Sequence, residues 1–139
     1  MQREEALSLM KENIKQDNLR KHCLAVEAVM AKLADYFDKD EHKWRLAGLL
    51  HDIDYEETAD QPEKHSQIGA DMLEEMGMEE KIVKAVRAHN GIHDLERETL
   101  MAKSLYAADP LTGLIVASAL IHPDKKLESL DTEFVIRMN

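Results

Sequence analysis

The sequence predicts an all-α bundle of seven to eight helices, and three observations carry that reading. Apolar residues recur at three- and four-residue steps along the chain. Glycine and proline together fill only eight of 139 positions. Breaks in the apolar pattern fall at capping residues, glycines or prolines. From about Glu4 to Lys15, Leu7, Met10 and Ile14 form one stripe, and Gln16-Asp17-Asn18 supplies a stop and a new cap. Leu19, Cys23, Val26, Met30, Leu33 and Phe37 then alternate steps of four and three, which marks a long amphipathic helix with His22 bordering its buried side. Asp40 is placed to cap a third helix through Trp44, Leu46, Ala47, Leu49 and Leu50, ending in the polar string His51-Asp52-Ile53-Asp54. After a loop over 55–61, Pro62 reads as the first residue of a fourth helix, where its missing N–H costs nothing, and Gly77 as its stop. Within it His65, Ile68, Met72, Leu73 and Met76 share one face. A fifth helix, Glu79 to Asn90, aligns Ile82, Val86 and His89 ahead of Gly91. A sixth runs from about Glu98 to Asp109, where Pro110 calls for a kink or a restart, and residues 111–121 form a strongly buried seventh. Leu127, Leu130, Phe134 and Met138 mark an eighth segment.

One domain spanning 1–139 is the expected organisation, since a chain of this size buries about 68% of its unfolded surface in one core. Eighteen Lys and Arg against 28 Asp and Glu give a net charge of −10, which repels phosphate backbones and anionic lipid. Nucleic acid and membrane are therefore poor default partners. The lone Cys23 can form no internal disulfide, the N-terminus MQREEALSLMKEN is too evenly charged for a signal peptide, and no apolar run approaches the ~20 residues of a membrane span. The default location is cytoplasmic; oligomeric state is open. One oddity remains, seven histidines against six aromatic residues.

His22, His51, Asp52, His65, His89 and Asp109 come from five expected helices, each at an apolar margin or a terminus. A lone histidine in such a place is more often a core side chain than a ligand. Burying four histidines and two aspartates together is costly unless they are paired or coordinated, and bundle cores build metal sites from inward imidazoles and carboxylates on facing helices.

His22, then His51-Asp52 after 28 intervening residues, then Asp109 after 56 more, resembles the H…HD…D signature of the HD superfamily of metal-dependent phosphohydrolases. RKHCLAVEAVM is similar to that family's first helix, LAGLLHDIDYE to its HD helix, and KSLYAADPLTG to the segment holding its last aspartate, over about residues 3 to 130. The resemblance implies an all-helical HD bundle. His65, in EKHSQIGADMLEEMG, and His89, in VKAVRAHNG, are similar to what two-metal members insert between the HD pair and the final aspartate. By that resemblance His22, His51, Asp52 and Asp109 hold one divalent ion, and Asp52 bridges to a second held by His65 and His89. Iron or manganese is favoured, with magnesium, cobalt, nickel and zinc as alternatives. Two-metal branches include cyclic dinucleotide phosphodiesterases and diadenosine tetraphosphate hydrolases; the chain departs from the former, lacking a GYP triplet and having Asn90 where a second histidine would extend HH. Its nearest likeness is to short bacterial or archaeal predicted HD hydrolases, which run on through further helices, so FVIRMN reads as a truncated end.

The implied reaction is hydrolysis of a phosphoester or phosphoanhydride of a small phosphorylated substrate, a nucleotide in preference, by a hydroxide bridging the two ions. Asp52 and Asp54 are the catalytic candidates, Asp54 either orienting the attacking water or holding a ligand imidazole. Lys21 and Lys103 are the candidates to meet substrate phosphate, because an acidic protein handling an anion needs local positive charge. Cys23 reads as core packing; His42, His93 and His122 read as surface residues. The rival readings are a one-metal nucleotide phosphomonoesterase, a non-catalytic metal-binding signalling module, and a helical interaction domain whose histidines coincide by chance.

Overall fold

The computed structural model describes residues 1–138, and its regular structure is all helical, with no strand among the described residues. Seven α-helices follow in order: α1 (Arg3–Asn13), α2 (Asp17–Tyr36), α3 (Glu41–Leu50), α4 (Gln67–Glu75), α5 (Glu80–Ala88), α6 (Leu100–Ile121) and α7 (Thr132–Met138). α3 sits at the centre, packed along α2 and touched by α1, α5 and α6. Met10, Ile14, Val26, Met30, Leu49, Leu50, Ile53, Leu73, Ile82, Val86 and Leu105 fill the core.

Local chemistry explains most boundaries. Asp40 caps α3 by accepting from the Lys43 amide at 3.1 Å. At the end of α4, Gly77 adopts φ +80, and the Gly77 and Met78 amides return to the Glu74 and Leu73 carbonyls, a Schellman closure that a Cβ would strain. The start of α2 is capped from outside: Gln16 makes no side-chain cap, and Glu56 Oε2 accepts from the Lys15 and Gln16 amides at 2.8 and 2.9 Å.

Several expectations are corrected. Pro62 opens only a 3₁₀ turn, Pro62–Lys64; Ser66 then takes φ +75, and α4 starts at Gln67, so His65 lies on an irregular segment. Pro110 neither ends nor restarts a helix. α6 runs through it, forgoing one backbone bond at an exposed position. The expected strongly buried seventh helix is thus the second half of α6, and most of it is open: Leu111, Val116, Leu120 and Ile121 are exposed. The 22 residues of α6 are long and apolar enough to cross a membrane by length and composition, which the expectation of no such run missed. α6 packs on α5 and α2, and its first half buries Met101, Ala102, Leu105 and Ala108. Phe37 and Met76, placed on buried stripes by period, are exposed.

α2 and α3 meet closely at Gly48, where an added Cβ would stand 2.9 Å from the Glu27 main chain and the Val26 carbonyl. Backbone cannot give way there as a side chain can. Gly48→Ala gains about 1 kcal/mol of helix propensity but overpacks the α2–α3 contact. The expected outcome is a net loss of about 1–3 kcal/mol in urea unfolding; equal or higher stability would show that the two helices can separate freely.

Candidate metal centre

Two imidazoles reach the centre by the same device. His51 and His89 are the C-cap residues of α3 and α5, and each Nδ1–H donates to the carbonyl three residues earlier, Gly48 and Val86, both at 2.6 Å. A carbonyl can only accept, so Nδ1 carries the proton in both rings and Nε2 is turned inward. The same bonds satisfy last-turn carbonyls, and both helices direct their negative ends at the centre, which favours a cation there.

The other two rings are aimed by side chains. Thr112 Oγ1 donates to the Asp109 carbonyl at 3.1 Å and accepts the His22 Nδ1–H at 2.9 Å. His65 Nδ1–H donates to Asp54 Oδ1 at 2.6 Å. All four rings therefore present Nε2 to the aspartates. Asp52 Oδ2 lies 3.3 Å from both His22 Nε2 and His51 Nε2, while its Oδ1 lies 3.2 Å from both His65 Nε2 and His89 Nε2. Asp109 Oδ1 completes the first set at 2.8 Å from His22 and 3.1 Å from His51.

This donor set fits divalent cations. Four Nε2 atoms and three carboxylate oxygens crowd together with His22 and His51 Nε2 only 3.2 Å apart, so positive charge must lie among them. Ligand atoms bound at about 2.1 Å stand roughly 3.0–3.4 Å apart for right-angle to tetrahedral geometry, close to the spacings seen here. Two groups can each hold an ion, His22-His51-Asp52-Asp109 and Asp52-His65-His89, sharing Asp52, with the ligand atoms of each within 4.8 Å of one another.

In protein without metal, protons serve instead. Bonds to Asp109 and Asp52 raise His22 to about 9. Burial pushes His65 down, but its bonds to Asp52 and Asp54 outweigh this and bring it to about 9. Burial likewise opposes charge on His51, yet Asp52 and Asp109 hold it well above the usual imidazole range. Asp52 and Asp109, both pushed up by burial, are held below the usual carboxylate range by the same imidazoles.

The remaining candidates separate. Asp54 has no exposed surface, and both its oxygens are engaged, Oδ1 by His65 and Oδ2 by the Ser66 and Gly69 amides at 2.7 Å. It is closed to substrate. Lys21 is exposed, pairs with Asp17 at 3.1 Å, and lines a cleft of about 730 Å³ between α2 and α6 together with Asn18, His22, Asp109, Thr112 and Val116. Lys103 lies on the exposed side of α6 and is not among that cleft's lining residues. Cys23 is fully buried, and burial pushes its thiol up to about 12. His42 is a surface residue reaching the Met1 carbonyl, and His122 is half-buried against Phe134.

Some residues that shape the centre escaped sequence reasoning. Thr112 had a signal, its place three residues after Asp109 on one helix. His93, expected at the surface, donates to the His65 carbonyl at 2.8 Å, and Asn90 Nδ2 donates to the same carbonyl at 3.1 Å. These are long-range contacts that no local period marks.

The HD domain family matches residues 19–118, which takes in His22, His51, Asp52, His65, His89 and Asp109. The chain is 33% identical over 138 residues to an uncharacterised protein of Methanocaldococcus jannaschii, covering 92% of this chain and 80% of that one. It is also 32% identical over 96 residues to ribonuclease Y of Oleidesulfovibrio alaskensis, covering 69% of this chain but only 18% of that protein. The crystal structure of a predicted HD superfamily hydrolase from an uncultured Thermotogales bacterium superposes with a TM-score of 0.68 at 26% identity, covering 97% of this chain and 81% of its own.

Protons and metal compete for one set of atoms, which makes the sign of the pH dependence testable. The folded values of His22 and His65, about 9, exceed the unfolded value of about 6.5, so their contribution to metal-free stability is complete below pH 6.5 and is lost as pH rises to 9. The lowered carboxylates contribute above about pH 4 and lose that contribution in acid. Metal needs deprotonated rings, so its stabilisation grows over the same window in which the metal-free protein weakens. Thermal melts at pH 6 and pH 9, with and without chelator, are expected to show a larger chelator effect at pH 9. A melting temperature indifferent to chelator at both would contradict a buried cation site.

Proposed function

The chain belongs to the HD domain family, and from that premise we propose that it is a metal-dependent hydrolase of a phosphoester or phosphoanhydride in a small phosphorylated molecule, a nucleotide in preference. The observation that carries the reading is the division of Asp52, whose Oδ2 faces His22 and His51 while its Oδ1 faces His65 and His89. One carboxylate shared between two imidazole pairs suits two cations, with iron or manganese favoured.

When bound, such ions supply positive charge against phosphate oxygens and lower the pKa of water. The chain's own residues do the positioning. His51 and Asp52, almost wholly buried at the end of a core helix, fix the floor of the site. His22 and Asp109 stand at its rim, with side chains 24% and 32% exposed, where the α2–α6 cleft opens. Substrate enters from that cleft, its phosphate toward the rim and its organic part along Ala25, Val116 and Leu120. Lys21, one residue from His22 on that side, is the cation placed to meet the phosphate; exchanging its Asp17 partner for substrate costs little at an exposed pair. A cleft of about 730 Å³ has room for a nucleoside, and the net charge of −10 disfavours a polyanionic duplex.

Metal analysis of the purified protein is expected to give about two ions per chain, and a screen of nucleotides and sugar phosphates with Mn²⁺ or Fe²⁺ to give turnover. Uniform inactivity of fully metallated protein favours the non-catalytic metal-binding module; a firm value of one ion favours the phosphomonoesterase. Asp52→Ala should abolish turnover and lose metal while keeping most helix content, since the bundle core lies largely elsewhere. His65→Ala and His89→Ala should each retain about one ion and lose turnover by orders of magnitude, whereas His51→Ala should lose most metal. Near-normal turnover in both His65→Ala and His89→Ala would sink the two-ion reading.

A further inference from the structure

Of the four imidazoles around Asp52, three are set by regular secondary structure: His22 stands within α2, and His51 and His89 end α3 and α5. His65 has no such support. It sits between a 3₁₀ turn and α4, with Ser66 in the left-handed region at φ +75, a strained conformation for a non-glycine residue that persists only where its surroundings enforce it. The enforcing group is Asp54. Its Oδ2 accepts from the Ser66 and Gly69 amides, both at 2.7 Å, and so caps α4 in place of Ser66, whose side chain makes no cap. The side chain can come this close because residue 69 is glycine, whose Cβ would stand 3.1 Å from Asp54 Oδ2. The remaining oxygen takes the His65 Nδ1–H at 2.6 Å.

We propose that Asp54 is the positioning residue that builds the second cation position, by ordering the strained 65–66 turn and fixing the His65 tautomer so that Nε2 faces Asp52. Asp54 is fully buried and its oxygens are spent, so it acts only through His65. A carboxylate can do both tasks because it only accepts. An amide of the same shape can do one: the oxygen of Asp54→Asn still caps the two amides, but its NH₂ then confronts the His65 Nδ1–H, donor against donor. Relief requires His65 to move its proton to Nε2, the nitrogen that faces Asp52.

This rests on the two-ion reading, and the experiment separates the two. Mn²⁺ titration of wild type and of Asp54→Asn, followed by electron paramagnetic resonance and elemental analysis, is expected to give two ions in the first. In the second, one tight ion should remain with the other weakened about 10–100-fold, the usual cost of losing a ligand's outer partner. Asp54→Asn added to His65→Ala should cause no further loss. A merely structural role would instead lower the melting temperature and weaken both ions alike. Two ions in wild type with two in Asp54→Asn at comparable affinity overturn the role of Asp54 alone, while a single ion in wild type overturns both readings. If Asp54→Asn does not fold, ¹⁵N-histidine spectra of the Zn²⁺-loaded wild type decide: the proposal requires the His65 proton on Nδ1, and a proton on Nε2 overturns it.

Discussion

The carboxylate of Asp52 is the point at which the chain's packing and its chemistry meet. It is 4% exposed, and its two oxygens face four imidazole nitrogens at 3.2–3.3 Å. Burying such a group costs several kcal/mol unless positive charge surrounds it. Here that charge is a set of imidazolium protons or the cations that replace them. Each surrounding ring comes from a different part of the chain, so the electrostatic need of one side chain ties α2, α3, α5, α6 and the 65–66 turn together. No buried side-chain nitrogen or oxygen among the described residues lacks a partner, which shows how completely the neighbours answer it.

The fold delivers those rings by close packing and by helix ends. Gly48 lets α3 lie against the backbone of α2, and the same residue's carbonyl orients His51. The C-terminal turns of α3 and α5 repeat one arrangement, an imidazole bonded back to the carbonyl three residues before it. Aimed together, the two helix ends add their negative poles to the carboxylates. Two of the four imidazoles of the candidate cation site are thus delivered by ordinary helix termination.

Much of this was legible in the chain because helical period and charge pattern are local signals. The stripe through Cys23, Val26 and Met30, the Asp40 cap and the Gly77 stop all stand where spacing placed them. His22, His51, Asp52, His65, His89 and Asp109, which stand at apolar margins and helix ends in the sequence, lie together in two groups that share Asp52. What period could not show was anything decided across the chain. His65 reached the centre through Asp54 and a left-handed Ser66, although the pattern put it on a helix face. By local rule Pro110 calls for a kink or a restart, but an exposed position tolerates the lost bond and α6 continues. Leu111, Val116 and Leu120 are apolar, yet burial depends on a neighbouring surface, and composition alone does not supply one.

The most direct test of the central claim is anomalous scattering from crystals grown with Mn²⁺ and without chelator. Two peaks are predicted, one among His22, His51, Asp109 and Asp52 Oδ2, the other among His65, His89 and Asp52 Oδ1. A single peak, or two peaks that do not share Asp52, would contradict the account.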